Sequence, residues 1–148
     1  MIKPYVWVCS PDHPKTSPPT KAAGCVRLRA LVDTGAECSF VNLKKVAGFR
    51  KARKKCNVAG LCGVGRGDGR QVDLQIWPPG CSTQCVRAVG VEGKPFAGVD
   101  LILGFDYMKK AKMWIQVSGS RGGGSFGCKV PTAKTKTKTR TKAAARRQ

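Results

Sequence analysis

An apolar run that ends in an acid is the feature that most constrains this sequence. Residues 30–35 read Ala-Leu-Val-Asp-Thr-Gly. An isolated carboxylate at the end of a buried strand is costly unless it has partners or holds a proton. We therefore predict that Asp33 ends a buried strand on a turn that Gly35 keeps narrow, and that it is a candidate functional acid. The alternative, an acid that only stabilises its own turn, stays open at this point.

The size and hydropathy of the chain limit the classes of protein to which it can belong. A chain of 148 residues supports one ordinary domain, and an apolar fraction of 41% is enough for a modest core. No apolar stretch approaches the roughly 18 residues that a membrane-spanning helix needs. The N-terminal segment lacks the charged head and long apolar run of a secretory signal. We therefore expect an intracellular protein with no membrane partner.

Positive charge is the strongest compositional feature. The chain carries 28 lysine and arginine residues against 8 acidic residues, a formal net charge of +20. The basic residues are concentrated after Asp106, which is the last acid, and in a cluster over 44–55. Clustered positive charge favours a polyanionic partner, most often a nucleic acid. For the basic tail, defined as 129–148, nucleic-acid binding and a merely solubilising role both stay open, whereas we expect the 44–55 cluster to be solvated surface.

The eight cysteines and the single histidine form no recognisable metal motif in the sequence. Only Cys81 and Cys85 are closely spaced, and His13 lies far from them in a proline-dense loop over 11–20. A structural zinc site needs four ligands at recognisable spacing, so we predict no metal and no other cofactor. Without a secretory signal, reduced thiols are the expected state of the cysteines. His13 is expected to be exposed and without a role.

The pattern of apolar residues predicts a mainly β fold. β-Branched and aromatic runs between glycine and proline predict strands over 4–10, 26–32, 72–77, 85–91, 99–104 and 113–117. Residues 105–112 can form about two turns of helix, 39–46 a short turn or strand, and the glycine-rich 58–69 a mobile hairpin. A Gly/Ser linker is predicted over 118–125. We predict a folded domain over 1–118, then the linker and a basic disordered tail over 119–148.

Three motifs, in order and at plausible spacing, resemble the retropepsin-type aspartic proteases of retroviruses and long-terminal-repeat retrotransposons. They are Leu-Val-Asp-Thr-Gly-Ala-Glu at 31–37, the glycine-rich flap Gly-Leu-Cys-Gly at 60–63, and Leu-Ile-Leu-Gly-Phe-Asp-Tyr-Met at 101–108. The resemblance covers about 4–118. It implies the closed β-barrel of the acid protease fold, with one short helix after the third motif. Cys62 departs from the family pattern, in which many members carry glycine.

The resemblance implies an aspartic endopeptidase. Two neighbouring carboxylates in that family share one proton and titrate as a pair. The ionised one takes a proton from a water that attacks the peptide carbonyl, while the protonated one hydrogen-bonds the carbonyl oxygen. Because this chain has only one Asp-Thr-Gly, the second Asp33 has to come from a second copy. We therefore expect an obligate homodimer with a two-fold axis between the Asp33 side chains, and a polypeptide substrate such as a retroelement polyprotein.

The resemblance also assigns roles to the neighbours of Asp33. Thr34 supports the catalytic Asp33 by a hydrogen bond across the two-fold axis, and a terminal strand over 113–117 pairs between subunits. The residues implied to bind substrate line the cleft beside the turn or form the flap that closes over it: Gly35, Ala36, Glu37, Gly60, Leu61, Cys62 and Gly63.

A second class of function stays open beside catalysis. A catalytically idle or domesticated module of the same fold could bind RNA or DNA through the basic tail. The glycines of 60–69 could form an inert loop. Asp106 is expected to act as a cap, or to pair with an arginine or with backbone, rather than to catalyse, because no Thr-Gly follows it. A location in the cytoplasm or in a retroelement particle would suit either function.

Overall fold

The computed structural model of the chain describes residues 4–55, 69–118 and 123–128. Within these ranges the chain forms nine strands, one α-helix and one short 3-10 helix over Leu43–Val46. The strands are β1 (Tyr5–Cys9), β2 (Val26–Val32), β3 (Phe40–Asn42), β4 (Lys51–Lys55), β5 (Arg70–Trp77), β6 (Gln84–Val91), β7 (Leu101–Leu103), β8 (Met113–Ser118) and β9 (Gly123–Cys128), and the helix α1 spans Phe105–Ala111.

Six of the strands close into a barrel. Their order is β1-β2-β7-β3-β6-β5, and β1 completes the ring by pairing antiparallel with β5, where Trp7 lies opposite Trp77. β4 pairs with β5 outside the ring. For the described residues, the prediction of a mainly β fold with a closed barrel and one short helix is confirmed.

Strand β2 illustrates how the sequence pattern places the core. Arg27 and Arg29 are exposed, whereas Leu28 and Ala30 are 2% and 0% exposed. The alternation ends at Leu31, which is also buried, within the stretch from Ala30 to Val32 that pairs with the fully buried β7. A strand covered on both faces takes a continuous apolar run. The core is built from the inward side chains of the barrel strands and one ring from α1: Val6, Val8, Leu28, Val41, Val72, Leu74, Ile76, Leu101, Leu103 and Tyr107.

A parallel pairing inside the barrel decides what lies beside Asp33. β2 runs parallel to β7, with Val32 opposite Leu103. Because parallel strands end at the same edge of a sheet, the next residues, Asp33 and Gly104, leave the barrel side by side. The first and third sequence motifs are therefore neighbours in space, although about 70 positions separate them in the chain.

The chain beyond residue 118 differs in part from its prediction. The sequence predicts a linker over 118–125, but Gly123–Cys128 forms β9, which pairs antiparallel with β8. Glycine normally weakens a strand; here Trp114 packs over Gly127, where an added Cβ would lie 2.8 Å from the indole nitrogen. Only a glycine leaves room for this ring. The division of the chain at residue 118 stays a prediction, and the basic tail lies outside the described residues.

Two disulfides contradict the expectation of reduced thiols. Cys9 is bonded to Cys25, and Cys81 is bonded to Cys128. The partners are 16 and 47 positions apart in the sequence, so no local spacing indicates them. In the first case the pairing of β1 with β2 brings the cysteines together. In the second, the disulfide joins Cys128 at the end of β9 to Cys81 in the turn between β5 and β6.

The predicted flap, 60–63, lies outside the described residues. The strands on either side of it in the sequence, β4 and β5, pair antiparallel, with Lys55 opposite Arg70. Among the helices of the described ranges, none has the length and apolar character needed to cross a membrane.

Candidate active site

Asp33 lies at the edge of the barrel, directly after β2. Its backbone nitrogen donates to the carbonyl oxygen of Leu103, the last residue of β7, at 3.1 Å. The Asp33 side chain is half-buried, and the next two residues, Thr34 and Gly35, are exposed. The acid is therefore anchored to the core through its backbone while its carboxylate sits where another molecule can reach it.

The turn after Asp33 fixes the carboxylate. Its Oδ1 accepts a hydrogen bond from the Gly35 N–H at 2.9 Å, and the Ala36 N–H donates to the Asp33 carbonyl at 3.3 Å. A Cβ at position 35 would lie only 3.2 Å from Oδ1, so glycine relieves a tight contact. Within the described part of the chain, the second oxygen, Oδ2, has no hydrogen-bond donor. The turn thus holds one oxygen and leaves the other for a further group.

Backbone hydrogen bonds join the segment after the turn to the start of α1. The carbonyl of Ala36 accepts from the Phe105 N–H at 2.7 Å, and the carbonyl of Glu37 accepts from the Asp106 N–H at 3.2 Å. The first N–H groups of a helix have no partner inside the helix. Here the active-site segment satisfies two of them, so α1 and the Asp33 turn are held as one unit.

Ser39 is a buried link whose role sequence reasoning missed. Its Oγ donates to Asp106 Oδ1 at 2.7 Å and accepts from the Gly104 N–H at 3.0 Å, while its own N–H donates to Asp106 Oδ2 at 3.1 Å. Ser39 is 0% exposed. The only sequence signals were a polar residue before the apolar pair 40–41 and an acid in the first turn of the predicted helix. Asp106 therefore braces the loop, and its expected non-catalytic role stays a prediction.

Gly104 sets how closely the two segments approach. A Cβ at position 104 would lie 2.8 Å from the Ala36 carbonyl oxygen and would also strike the Cys38 carbonyl. Both contacts are with backbone atoms, which cannot rotate away. The glycine of the third motif is thus required by packing against the first motif.

A groove of about 350 Å³ begins beside the Asp33 turn. It is lined by Thr34 from the turn and by side chains of α1, β8 and the residue between them: Phe105, Met108, Lys109, Lys112, Met113 and Ile115. The Phe105 ring is 48% exposed, and the Lys109 Nζ lies 4.7 Å from its centre. The molecule therefore presents an apolar surface next to the catalytic candidate.

Three other acids of the described residues already have partners. Asp100 Oδ1 accepts from Asn42 Nδ2 at 3.0 Å, Asp106 is bound to Ser39, and Asp73 forms an ion pair with Arg87 at 2.8 Å. The hydrogen bond from Arg87 is the main cause that lowers the pKa of the Asp73 carboxyl. None of the three is therefore placed to share a proton with Asp33.

The structure brings together part of the predicted site. The five residues of the first motif assigned to the site form one continuous turn and loop: Asp33, Thr34, Gly35, Ala36 and Glu37. The flap residues lie outside the described residues, so their place over the cleft stays a prediction: Gly60, Leu61, Cys62 and Gly63.

Known proteins similar to this chain are found among solved structures. No protein-family model matches the chain, and no curated protein matches it. The chain is similar to the crystal structure of the retroviral protease-like domain of Ddi1 from Leishmania major, with 21% sequence identity and a TM-score of 0.43. The alignment covers 77% of this chain and 81% of that chain. The residues and geometry of the Asp33 turn, rather than this similarity, support the function proposed below.

Proposed function

We propose that this chain is one subunit of an aspartic endopeptidase, which hydrolyses peptide bonds when two copies bring their Asp33 carboxylates together. One observation carries the proposal. Asp33 stands on an exposed Asp-Thr-Gly turn, with Oδ1 held by the Gly35 N–H and Oδ2 without a donor from the described residues. The turn therefore orients the carboxylate through one oxygen and leaves the other accessible to a second carboxylate or to a water.

The chemistry follows from placing two such carboxylates in contact. Two adjacent carboxylates cannot both ionise cheaply, so the pair holds one proton. The ionised Asp33 accepts a proton from a water between the two side chains, and the water attacks the peptide carbonyl. The protonated Asp33 donates a hydrogen bond to the carbonyl oxygen. The proton then passes to the leaving nitrogen, and the pair is restored.

The homodimer is part of the same proposal. Three other carboxylates already have hydrogen-bond partners, so none of them supplies the second carboxylate that Asp33 needs: Asp73, Asp100 and Asp106. Thr34 and Phe105 are exposed beside Asp33 and line the apolar groove, which is the kind of surface that a second copy would cover. Strand β8 already pairs with β9 in its own chain, so pairing between subunits would use the remaining edges of this hairpin.

The substrate proposed is an extended polypeptide, and the three motifs shared with retropepsins favour the polyprotein of a retroelement. The predicted flap would close over this peptide and exclude water. On the proposed cleft wall, Glu37 is exposed, and its carbonyl accepts from the Asp106 N–H. Its exposed side chain is the part that we propose to meet substrate.

The test is cleavage of candidate polypeptides at mildly acidic pH by the wild-type chain and by Asp33→Asn. Asparagine keeps an Oδ1 that can accept the Gly35 hydrogen bond, so the fold should be retained while the shared proton is lost. We expect activity to fall at least about a hundredfold. Asp73→Asn removes an acid on β5 outside the site and should cleave like wild type. Equal cleavage by Asp33→Asn and wild type would overturn the proposal.

A second candidate function is supported by charge. The basic tail contributes eight lysine and arginine residues and no acid, and we propose that it binds RNA or DNA. Such binding should weaken steeply as salt is raised, since each neutralised phosphate releases counterions. Deleting 129–148 should remove most of the affinity and flatten the salt dependence. Undiminished binding by the shortened chain would exclude the tail as the anchor.

A further inference from the structure

A cluster of soft ligands lies at the end of β2 opposite to Asp33. Cys9, His13 and Cys25 bring two Sγ atoms and an imidazole nitrogen within 4.8 Å of one another. Cys25 precedes β2 and Asp33 follows it, so at about 3.3 Å per residue the two sites are roughly 25 Å apart. This cluster is therefore separate from the proposed active site.

The strand register explains why the two cysteines meet. β1 and β2 are antiparallel with Val8 opposite Val26, so the next pair along the ladder is Cys9 and Cys25. Their Cα atoms are 4.4 Å apart, the spacing of a non-hydrogen-bonded antiparallel pair, in which side chains lie closest. Cys9 is 0% exposed and Cys25 is 2% exposed. Both sulfurs are held in a nearly dry pocket on a rigid pair of strands.

His13 is held with one nitrogen aimed at this pair. Its Nε2 lies 2.8 Å from the Ser17 carbonyl oxygen. A carbonyl can only accept, so Nε2 carries the proton and the neutral ring presents an unprotonated Nδ1. That Nδ1 lies 3.7 Å from Cys25 Sγ. An N–H···O=C bond on the far nitrogen is the arrangement that orients histidine ligands in metal sites.

Further contacts fix the loop that carries His13. The buried Gln75 donates from Nε2 to the His13 carbonyl at 2.8 Å, and Trp77 Nε1 donates to Gln75 Oε1 at 2.6 Å. The Trp77 and His13 rings meet edge to face, with centres 6.1 Å apart. His13 is therefore half-buried and supported by β5, which corrects the expectation that it is exposed.

We propose that, when the Cys9–Cys25 disulfide is reduced, the two thiolates and His13 Nδ1 bind a Zn²⁺ ion. Tetrahedral zinc with Zn–S near 2.3 Å and Zn–N near 2.05 Å places sulfur and nitrogen ligands about 3.6 Å apart. The 3.7 Å between Cys25 Sγ and His13 Nδ1 already matches this separation. Two thiolates require about 3.8 Å between sulfurs, which rotation of the cysteine side chains on the opposed strands can supply. A water takes the fourth position.

Reduction and reoxidation of the Cys9–Cys25 disulfide interconvert the two states. A dithiol reductant transfers two electrons and two protons to the Cys9–Cys25 bond and is itself oxidised to a disulfide. Both thiols lose their protons to solvent as the Zn²⁺ binds. In the reverse direction a disulfide oxidant accepts two electrons from the thiolates and two protons from solvent and becomes a dithiol. The Cys9–Cys25 Sγ–Sγ bond forms again, and the Zn²⁺ is released. The sequence alone does not indicate this site, because the spacing of Cys9, His13 and Cys25 matches no short zinc-binding motif.

The single histidine of the chain makes the test specific, because its imidazole nitrogen signals in an NMR spectrum need no assignment. The full chain, fully reduced with a phosphine and then freed of it, is titrated with Zn²⁺ alone. We expect the Nδ1 signal to move and to saturate at one equivalent. The oxidised protein should show no shift. Unmoved imidazole signals in the reduced wild-type chain would overturn the proposal, without reference to any variant.

The second readout is the affinity of the reduced chain for Zn²⁺, measured by competition with a coloured chelator. Losing an outer-shell partner of a metal site costs about 10–100-fold in affinity, so removing a direct ligand by His13→Asn or Cys25→Ser should cost at least that. Cys81→Ser is the matched control, since it removes a cysteine from the other disulfide, and it should bind like wild type. Equal affinity in His13→Asn would contradict the proposal. Peptide cleavage enters neither readout, so the outcome is independent of the function proposed for Asp33.

Discussion

At the scale of single residues, Asp33 and Tyr107 are polar groups in contrasting settings. Asp33 keeps one oxygen available at an exposed turn. Tyr107 is 0% exposed, and its hydroxyl has no hydrogen-bond partner among the described residues. Burial raises the pKa of this hydroxyl well above its ordinary value of 10.0. The ring fills the core between α1 and the barrel, while the hydroxyl contributes only a desolvation penalty.

Tyr107→Phe should therefore stabilise the protein, by about 1 kcal/mol, since it removes an unsatisfied buried hydroxyl and keeps the ring. In the wild type, the unfolded state loses the Tyr107 proton near pH 10 while the folded state retains it. Ionisation of Tyr107 therefore leaves the free energy of unfolding unchanged below pH 10. As pH rises above 10, ionisation in the unfolded state lowers the free energy of unfolding. Urea unfolding at pH 7 and at pH 11 measures both effects. A variant less stable than wild type at pH 7 would show that the hydroxyl has a partner.

The Asp73–Arg87 ion pair gives a pH dependence of the opposite sign. Because Arg87 lowers the pKa of Asp73 in the folded state, the pair stabilises the fold above the unfolded pKa of about 4. That contribution is lost as pH falls through the lower folded pKa. Both side chains are solvent-exposed, 57% for Arg87 and 39% for Asp73, so Asp73→Asn should cost little at pH 7 and nothing at pH 2. Thermal unfolding at the two pH values checks this, and a larger cost at pH 2 would be inconsistent with it.

At the scale of elements, the parallel pairing of β2 with β7 is what builds the candidate site. It sets Asp33 and Gly104 side by side at one edge of the barrel. The start of α1 then receives the carbonyls of Ala36 and Glu37, and Ser39 joins Gly104 to Asp106. The turn is therefore held by contacts from an element that follows it by about 70 residues.

Ser39→Ala tests this link between elements. The substitution leaves the buried Gly104 N–H without its partner and removes one of the two donors to Asp106 Oδ1, which keeps the Tyr107 N–H. The lost hydrogen bonds should lower the free energy of unfolding by about 1–3 kcal/mol. Chemical denaturation measures the loss. Ser82→Ala is the control, because Ser82 is exposed and only accepts from the neighbouring Gln84, and it should change little. A Ser39→Ala variant as stable as Ser82→Ala would refute the bracing role.

The elements that the sequence could predict are those whose pattern is local. The strands around 5–9, 26–32, 70–77 and 84–91 carry period-two or continuous apolar runs, and the Asp33 turn is a contiguous motif. Strand β9 was missed because glycine has low strand propensity and only contact with Trp114 justifies it. The partners of Ser39, the two disulfides and the setting of His13 depend on pairing between distant strands, which local patterns do not contain.

At the scale of the whole molecule, the account requires a second copy of the chain. Asp33 lies at a surface together with Thr34, Phe105 and the apolar groove, and its proposed partner is the same residue across a two-fold axis. The Cys9–His13–Cys25 cluster lies at the other end of β2, so zinc binding and peptide hydrolysis would be separable properties. Both sites are carried by the same barrel, which the pairing of β1 with β5 closes.

The central claim, that Asp33 is half of an active site, is tested most directly by a mixing experiment. Wild-type and Asp33→Asn chains are equilibrated at a fixed total concentration, and peptide cleavage is measured against the wild-type fraction. If each site needs two intact Asp33 side chains, activity follows the square of that fraction, and an equal mixture retains about a quarter of the full activity. Retention of about half, a linear dependence, would show that each chain acts alone and would contradict the account.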